Sequence, residues 1–253
     1  MPVLTPVFRH GKNTTIIIGT SDLSNQLRSA ASNQDADTAD TTAFESLQKT
    51  YVVGIPGGKM DFDGMFSGGT GEVDDFFSSI LGQEADVNVS VFPESCIVGR
   101  NSRTCQALES AYDISSPVAD MVSIKANIVA DGGIAQGYVL QARTPLAAGV
   151  TTGAEVDTLA APTTLGGFGM LHVIANTAVG TTTVVLQDAA ISGGPYVAIT
   201  GGTFTVVPGV TKTSQRLVIP TTTSIRRYIR VVTTVAAGAG SVTPVVSLAK
   251  RYF

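Results

Sequence analysis

The chain has 253 residues, 43% of them hydrophobic and only 14% charged, with 27 glycines, 11 prolines, no tryptophan and a formal net charge of −4. That balance excludes a disordered chain, which is poor in apolar residues, and a strongly basic nucleic-acid binder. At about 150 residues per domain it suits one large or two modest domains, and a surface so sparing in charge points to area covered by neighbours in an assembly.

Residues 1–12 read as an N-terminal arm. They hold no basic segment followed by an apolar one, so no secretory signal is expected. No run of about 20 apolar residues is present, so no membrane insertion is expected either. Residues 33–48 are small and polar and join two strand-like regions; a loop of that length in a compact domain is usually functional. Met60, Phe62 and Phe66 then alternate with Lys59, Asp61 and Asp63, the period of a strand with one apolar face.

Residues 71–82 break the β pattern. Val73, Phe76, Phe77, Ile80 and Leu81 form one apolar stripe at helical spacing. Glu72, Asp74 and Asp75 sit in the first turn, where negative charge suits the helix dipole. Gly82 stands where a left-handed C-cap belongs. The spacing predicts a helix closing one end of a β-sandwich. Strands follow: Val87, Val89 and Val91 alternate with Asn88 and Ser90, and Ile124, Ala126 and Ile128 alternate with Lys125 and Asn127. Alternation puts Glu109 and Asp113 together on the polar face of another strand. Asp131-Gly132-Gly133 reads as a tight turn into a strand over residues 135–141.

Composition shifts near residue 142. Residues 1–141 carry 17 acids and 8 bases, and residues 142–253 carry 3 acids and 8 bases. Threonine rises from 10 to 21 across the same boundary. Residues 142–167, rich in Ala, Thr, Gly and Pro, read as a linker. Beyond it the sequence is all-β, with strands expected at 170–175, 182–188, 196–200, 215–219, 225–232 and 242–249. Short strands with regular turns suggest a sandwich of the jelly-roll or immunoglobulin sort. The expected organisation is therefore mainly β: residues 1–141 with one flanking helix, a linker at 142–167, and a sandwich at 168–253.

Catalytic patterns are missing. His10 and His172 are the two imidazoles, His10 in the arm and His172 mid-strand, where a surface histidine is expected. No G-x-S-x-G is present. Gly57-Gly58-Lys59 lacks the spacing of a P-loop, and Asp61-Phe62-Asp63-Gly64 lacks the later ligands of a calcium loop. Cys96 and Cys105 do not make a zinc pattern. They read as inert reduced thiols, with a disulfide across a hairpin loop as the other possibility. Arg226, Tyr228 and Arg230 share one strand face; a solvated face is the first reading and an anionic glycan or partner contact the second. No enzyme activity, metal or cofactor is expected.

The first half resembles a family. Asp22-Leu23-Ser24, residues 36–44, Lys49-Thr50-Tyr51-Val52-Val53-Gly54, residues 60–67, and Ser115-Ser116-Pro117-Val118-Ala119-Asp120-Met121-Val122 followed by residues 128–133 look like the major tail tube proteins of long, non-contractile-tailed bacteriophages. The second half resembles the β-sandwich appendages that some such subunits carry. The resemblance implies a tail-tube-type β-sandwich whose copies form hexameric rings, with ring sheets joined into an inner barrel and rings stacked into a tube. It implies a virion location in the tail, assembly in the host cytoplasm, and as partners the chain itself, the tape measure protein, the tail terminator and the distal tail proteins. Double-stranded DNA would pass through transiently during genome delivery. The stretch matching the inter-ring loop is 33–48, with Asn33, Asp35, Asp37, Asp40, Thr41 and Phe44 as its contact residues, and the arm at 1–12 is a second candidate.

In such a tube the acidity of the first half has a physical use. A basic lining would bind phosphates tightly and without regard to sequence, whereas an acidic one keeps DNA moving. Asp61, Asp63, Glu109 and Asp113 are the expected lumen residues, with Lys125 partly offsetting them; the bland reading is that they solubilise an outer face. The rival function is a two-domain capsid-decoration or adhesin protein whose second half binds host glycans.

Overall fold

Alternation of apolar and polar side chains sets most of the architecture, which is mainly β with a single α-helix among the described residues. The computed structural model describes residues 11–43 and 47–251. The first part runs through a 3-10 turn (Gly11–Asn13), β1 (Thr15–Ile18), β2 (Ser21–Asp22), β3 (Leu27–Asp40), β4 (Tyr51–Met65), α1 (Val73–Ile80), β5 (Val87–Phe92), β6 (Asn101–Ser115) and β7 (Ser123–Gln141). The second continues with β8 (Leu146–Ala147), β9 (Gly149–Thr152), β10 (Val156–Asp157), β11 (Gly167–Asn176), β12 (Thr182–Ala189), β13 (Val197–Thr203), β14 (Thr213–Ile219), β15 (Tyr228–Val235) and β16 (Ser241–Lys250).

Strand β7 organises the molecule. It is antiparallel to β6 along its length, while its other edge is shared: residues 123–129 pair with β4 and residues 138–141 with β16. The Asp131-Gly132-Gly133 segment, expected as a turn between two strands, lies inside this one strand. Gly132 and Gly133 take φ of 72° and 79°, a left-handed conformation that glycine adopts at little cost. The kink diverts β7 from one partner to the other. One branch is the four-stranded sheet β3-β4-β7-β6; the other is β14-β11-β16-β7-β6-β5-β1-β2, which rolls until β14 approaches β5.

Three clusters of buried side chains fill the layers. Helix α1 lays Val73 and Phe77 on the inner face of the four-stranded sheet, against Met60, Phe62, Ile124, Ala126 and Ile128. The helix stripe read from the sequence is the cause, and Phe77 stacks on Tyr112 with ring centroids 5.7 Å apart. Burying one such phenylalanine contributes about 1.5–3 kcal/mol. The Gln26 side chain accepts the Val73 N–H at 2.7 Å, capping the helix from a neighbouring turn. Leu171, Val173, Val242 and Leu248 face the sheet β10-β15-β12-β13 in a second core. Ile17, Phe92, Val139 and Val245 form a third between the two parts.

Two segments differ from expectation. Residues 33–40, expected within a loop, extend β3 and pair with β4 as far as Asp40↔Tyr51. Their composition is poor in strand formers, and the cross-strand ladder with Tyr51, Val52 and their neighbours carries them. Residues 142–167, expected as a linker, hold three short strands: β8 pairs with β16, and β9 and β10 pair with β15.

Candidate functional site

The four-stranded sheet presents its second face to solvent. One cross-strand row on that face runs Ser29–Asp63–Lys125–Asp113, and the next runs Ala31–Asp61–Asn127–Ala111. Lys125 and Asp113 are exposed, and Asp61 and Asp63 are half-buried. Lys125 thus stands between two carboxylates in neighbouring strands, an arrangement worth a few tenths of a kcal/mol per pair at an exposed face. Lys59 lies on the same face one row beyond Asp61, with Val129 as its partner on β7. The structure therefore brings together four of the five residues expected on one surface.

Glu109 is the exception. It is 8% exposed and lies on the inner face with Ala107. The pairing of β6 with β7 shifts by one residue between Glu109 and Ala111. Such a bulge moves the residues on its two sides to opposite faces, so Asp113 points outward and Glu109 inward. Strict alternation could not reveal it. Neither carboxylate oxygen of Glu109 accepts a hydrogen bond from any described residue, and burial pushes its pKa up to about 8.

Among the described residues both outer edges of this sheet are open: β3 pairs only with β4, and β6 has no partner beyond Ala107 on the side of β5, whose first pair is Val87↔Ala107. From Asp35 onward, β3 and β4 leave the body of the molecule as a two-stranded arm roughly 20 Å long. Asn33, Asp35, Asp37, Asp40 and Thr41 are all exposed. The arm's last ordered turn is held locally: the Asp40 carboxylate accepts from the Thr42 N–H and hydroxyl, and Thr41 N–H donates to Thr50 C=O at 2.8 Å. Phe44 and residues 1–10, also named as contact candidates, lie outside the described residues.

The arginines of the second part are engaged with their own subunit. Asp188, 4% exposed at its side chain, accepts from the Arg226 N–H at 2.7 Å and from its Nε at 2.9 Å. Arg227 Nε donates to Asp157 at 2.7 Å. Arg230 lies over the Tyr196 ring at 3.9 Å and donates to Gln187 at 2.8 Å. These contacts orient the guanidiniums on a face that stays partly exposed, the Arg226 side chain at 30% and that of Arg227 at 43%. Tyr228 begins β15 two residues after Arg226, which precedes the strand.

His172, expected on a strand surface, is buried at 1% exposure. Its Nδ1 lies 2.7 Å from Gly19 C=O and its Nε2 lies 2.7 Å from Ser90 Oγ. The carbonyl fixes the tautomer: Nδ1–H donates, and Nε2 accepts from the serine hydroxyl. Burial lowers its pKa to about 4. The neighbours of His172 are apolar on both sides, Met170, Leu171, Val173 and Ile174, and that run is the sequence signal for a strand covered on both faces.

Cys96 and Cys105 are free thiols in separate clusters, and burial pushes them up to about 11 and about 12. Among the described residues no group of three or more His, Cys, Asp or Glu side chains could hold a metal ion, and no helix is long and apolar enough to cross a membrane. An open cleft of about 640 Å³ beside Asn13 and Thr14 is lined by groups that pair with each other, Arg100 with Glu94 at 3.2 Å and Arg143 with Asp22.

No family model matches the chain, and no curated protein matches it. Comparison with solved structures gives partial matches. A chain of the virion of a native gene transfer agent particle is 16% identical, with a TM-score of 0.41, over 51% of this chain and 98% of that one. A chain of the C6-symmetric tail of an empty gene transfer agent particle is 15% identical, with a TM-score of 0.38, over 50% and 97%. The SPP1 Dit protein, described as a hub of the adsorption apparatus of phages infecting Gram-positive hosts, is 10% identical, with a TM-score of 0.37, over 94% and 99%.

Proposed function

We propose that this chain is a virion structural protein whose copies join edge to edge into six-fold rings, and that the rings stack into a tail tube through which double-stranded DNA passes. The observation that carries the reading is the four-stranded sheet whose two edges are open among the described residues. Its strands alternate in direction, so β3 and β6 at the two edges run opposite ways. Rotation about a ring axis preserves strand direction. The β6 of one copy therefore meets the β3 of the next in antiparallel orientation, and an even number of strands per copy lets the alternation close.

The physical pressure to close is general. Open edges with unpaired N–H and C=O groups invite pairing, and a closed barrel removes them. Six copies would give a barrel of twenty-four strands, beyond the roughly 16–18 at which barrels already enclose an aqueous channel. Helix α1 and the first core cover one face of the sheet, so the face carrying Asp61, Asp63, Asp113, Lys59 and Lys125 is the one left to line the channel. Its charges lean acidic, three against two, and an acidic surface does not accumulate the phosphate contacts that make binding tight.

The arm suits contact between rings. A two-stranded hairpin alone in water is marginal, so the outer part of β3 and β4 gains by lying on another copy. The tape measure, terminator and distal tail proteins are the partners that such a tube requires. The reading is tested by placing cysteines at Ser29 and Leu108, which lie on the two open edges and on the same face of the sheet, and oxidising the purified chain. Disulfide-linked ladders closing at six copies are expected; monomers alone at high protein concentration would refute it.

A further inference from the structure

Glu109 sits where β6 has run past the end of β5, on the open edge, with its carboxyl turned under α1. Neither of its oxygens has a hydrogen-bond partner among the described residues. On its own strand is Tyr112, whose hydroxyl donates to Asp74 of α1 at 2.9 Å. The segment entering β5 brings Glu84 and Asp86 next to Val87, the partner of Ala107. Across the sheet its partner on β7 is Ile128. Nothing in this surrounding stabilises a carboxylate, and burial pushes the group up to about 8.

The other open edge has the opposite character. Arg28 is the extra residue of the bulge between Leu27 and Ser29, and it is exposed, its guanidinium touching Met121 Sδ at 3.8 Å. Beside it a groove along β3 is lined by Lys12, Arg28, Leu27, Ser29 and Ala30, with two bases and no carboxylate. Barrel strands tilt by about 35–45°, which staggers each strand by about one residue on the last, or about four residues per four-stranded copy. Glu109 shares its row with Ile128, Met60 and Ser32. Four residues from Ser32 on β3 stand Arg28 on one side and Ala36 on the other, and of the two only Arg28 can pair with a carboxylate.

We propose that Glu109 is the receptor for Arg28 of the neighbouring copy, protonated in the free subunit and ionised in the ring, so that each closed interface releases one proton. The inference rests on the ring reading. The proton leaves the carboxyl for solvent, and the guanidinium, already charged, supplies the counter-ion and the charge-assisted hydrogen bonds that a buried carboxylate needs. Because the ring binds fewer protons than the separate copies, assembly strengthens as pH rises toward 8 and levels off above it.

The test uses the full chain. Critical concentration for assembly is measured by sedimentation between pH 6 and 9, and proton release by calorimetry in two buffers of different ionisation enthalpy. Wild type is expected to release protons at pH 7. Glu109→Gln and Arg28→Gln are each expected to raise the critical concentration by tenfold or more and to abolish the pH dependence, and the double variant is expected to be no worse than either alone. Arg28 is exposed, so its variant reports on the interface even where Glu109→Gln perturbs the fold. Rings that form with unchanged proton release in Glu109→Gln, or penalties that multiply in the double variant, overturn this inference alone. A wild-type chain that forms no rings overturns it together with the ring reading.

Discussion

The Nε2 atom of His172 in β11 lies 2.7 Å from the hydroxyl of Ser90 in β5, and 82 residues separate the two in sequence. This contact, with the Nδ1 bond to Gly19 C=O, ties the second part of the chain to the first strands of the fold. The histidine must be neutral there. Its pKa is about 4 folded, against 6.5 for an ordinary histidine. The unfolded chain therefore binds more protons between those values, so stability falls as pH drops from 6.5 toward 4, by on the order of 3 kcal/mol from this group. Glu109, protonated in the folded chain up to about pH 8, contributes the opposite slope over this range. The check is therefore the difference between two urea-unfolding series across pH 4–7: the stability of wild type relative to His172→Gln is expected to fall as pH drops from 6.5 toward 4.

The same joint governs truncation. A chain ending at Gln141 would lack β16 and β11, and would uncover Ile17, Phe92 and Val139, all buried to 0% exposure. It would also leave the Ser90 hydroxyl without its histidine. Removal of this much apolar cover costs several kcal/mol. The truncated chain is expected to be aggregated or molten by near-ultraviolet circular dichroism; a cooperatively folded, soluble product would show that the first part is self-sufficient.

The arm contributes little to the fold of its own subunit, because its described outer residues, 35–42, Tyr51, Val52 and Gly54, are exposed. Replacing residues 36–53 by a two-residue Asn-Gly turn is expected to leave Tm within a few degrees of wild type. It is expected to abolish stacking while single rings persist in electron micrographs. Long tubes built from the shortened chain would remove the arm from the inter-ring contact.

Charge on the outer face is expected to matter for DNA and not for folding. Asp61→Lys with Asp63→Lys changes half-buried strand-face groups whose pairwise energies are small. In a ring each change would repeat in every copy and turn the channel basic. Assembled tubes are then expected to retain duplex DNA at low salt and release it steeply as salt rises. DNA retention equal to that of wild type would place this face outside the channel.

Much of the architecture was legible because alternation and helical spacing are local. The strand around Met60 and Phe62, the helix at Val73–Ile80 and six of the nine described strands of the second part, β11 to β16, each follow from their own residues. What escaped was set by distant partners or by a single inserted residue. The bulge at Glu109 reverses a face without a sequence mark. The kink at Gly132 and Gly133 looks like a turn until β4 and β16 both claim β7. His172 is covered by strands whose positions no local pattern encodes. The arginines at 226, 227 and 230 carry no local sign of their acceptors, Asp188, Asp157 and Gln187, which lie 38 to 70 residues away.

Electron microscopy of the purified full-length chain, concentrated at neutral pH, tests the central claim most directly. Six-fold rings and stacked tubes are expected, with β3 of one copy paired to β6 of the next and Asp61, Asp63 and Asp113 on the inner wall. Particles that remain monomeric, or rings in which those three aspartates face outward, would contradict it.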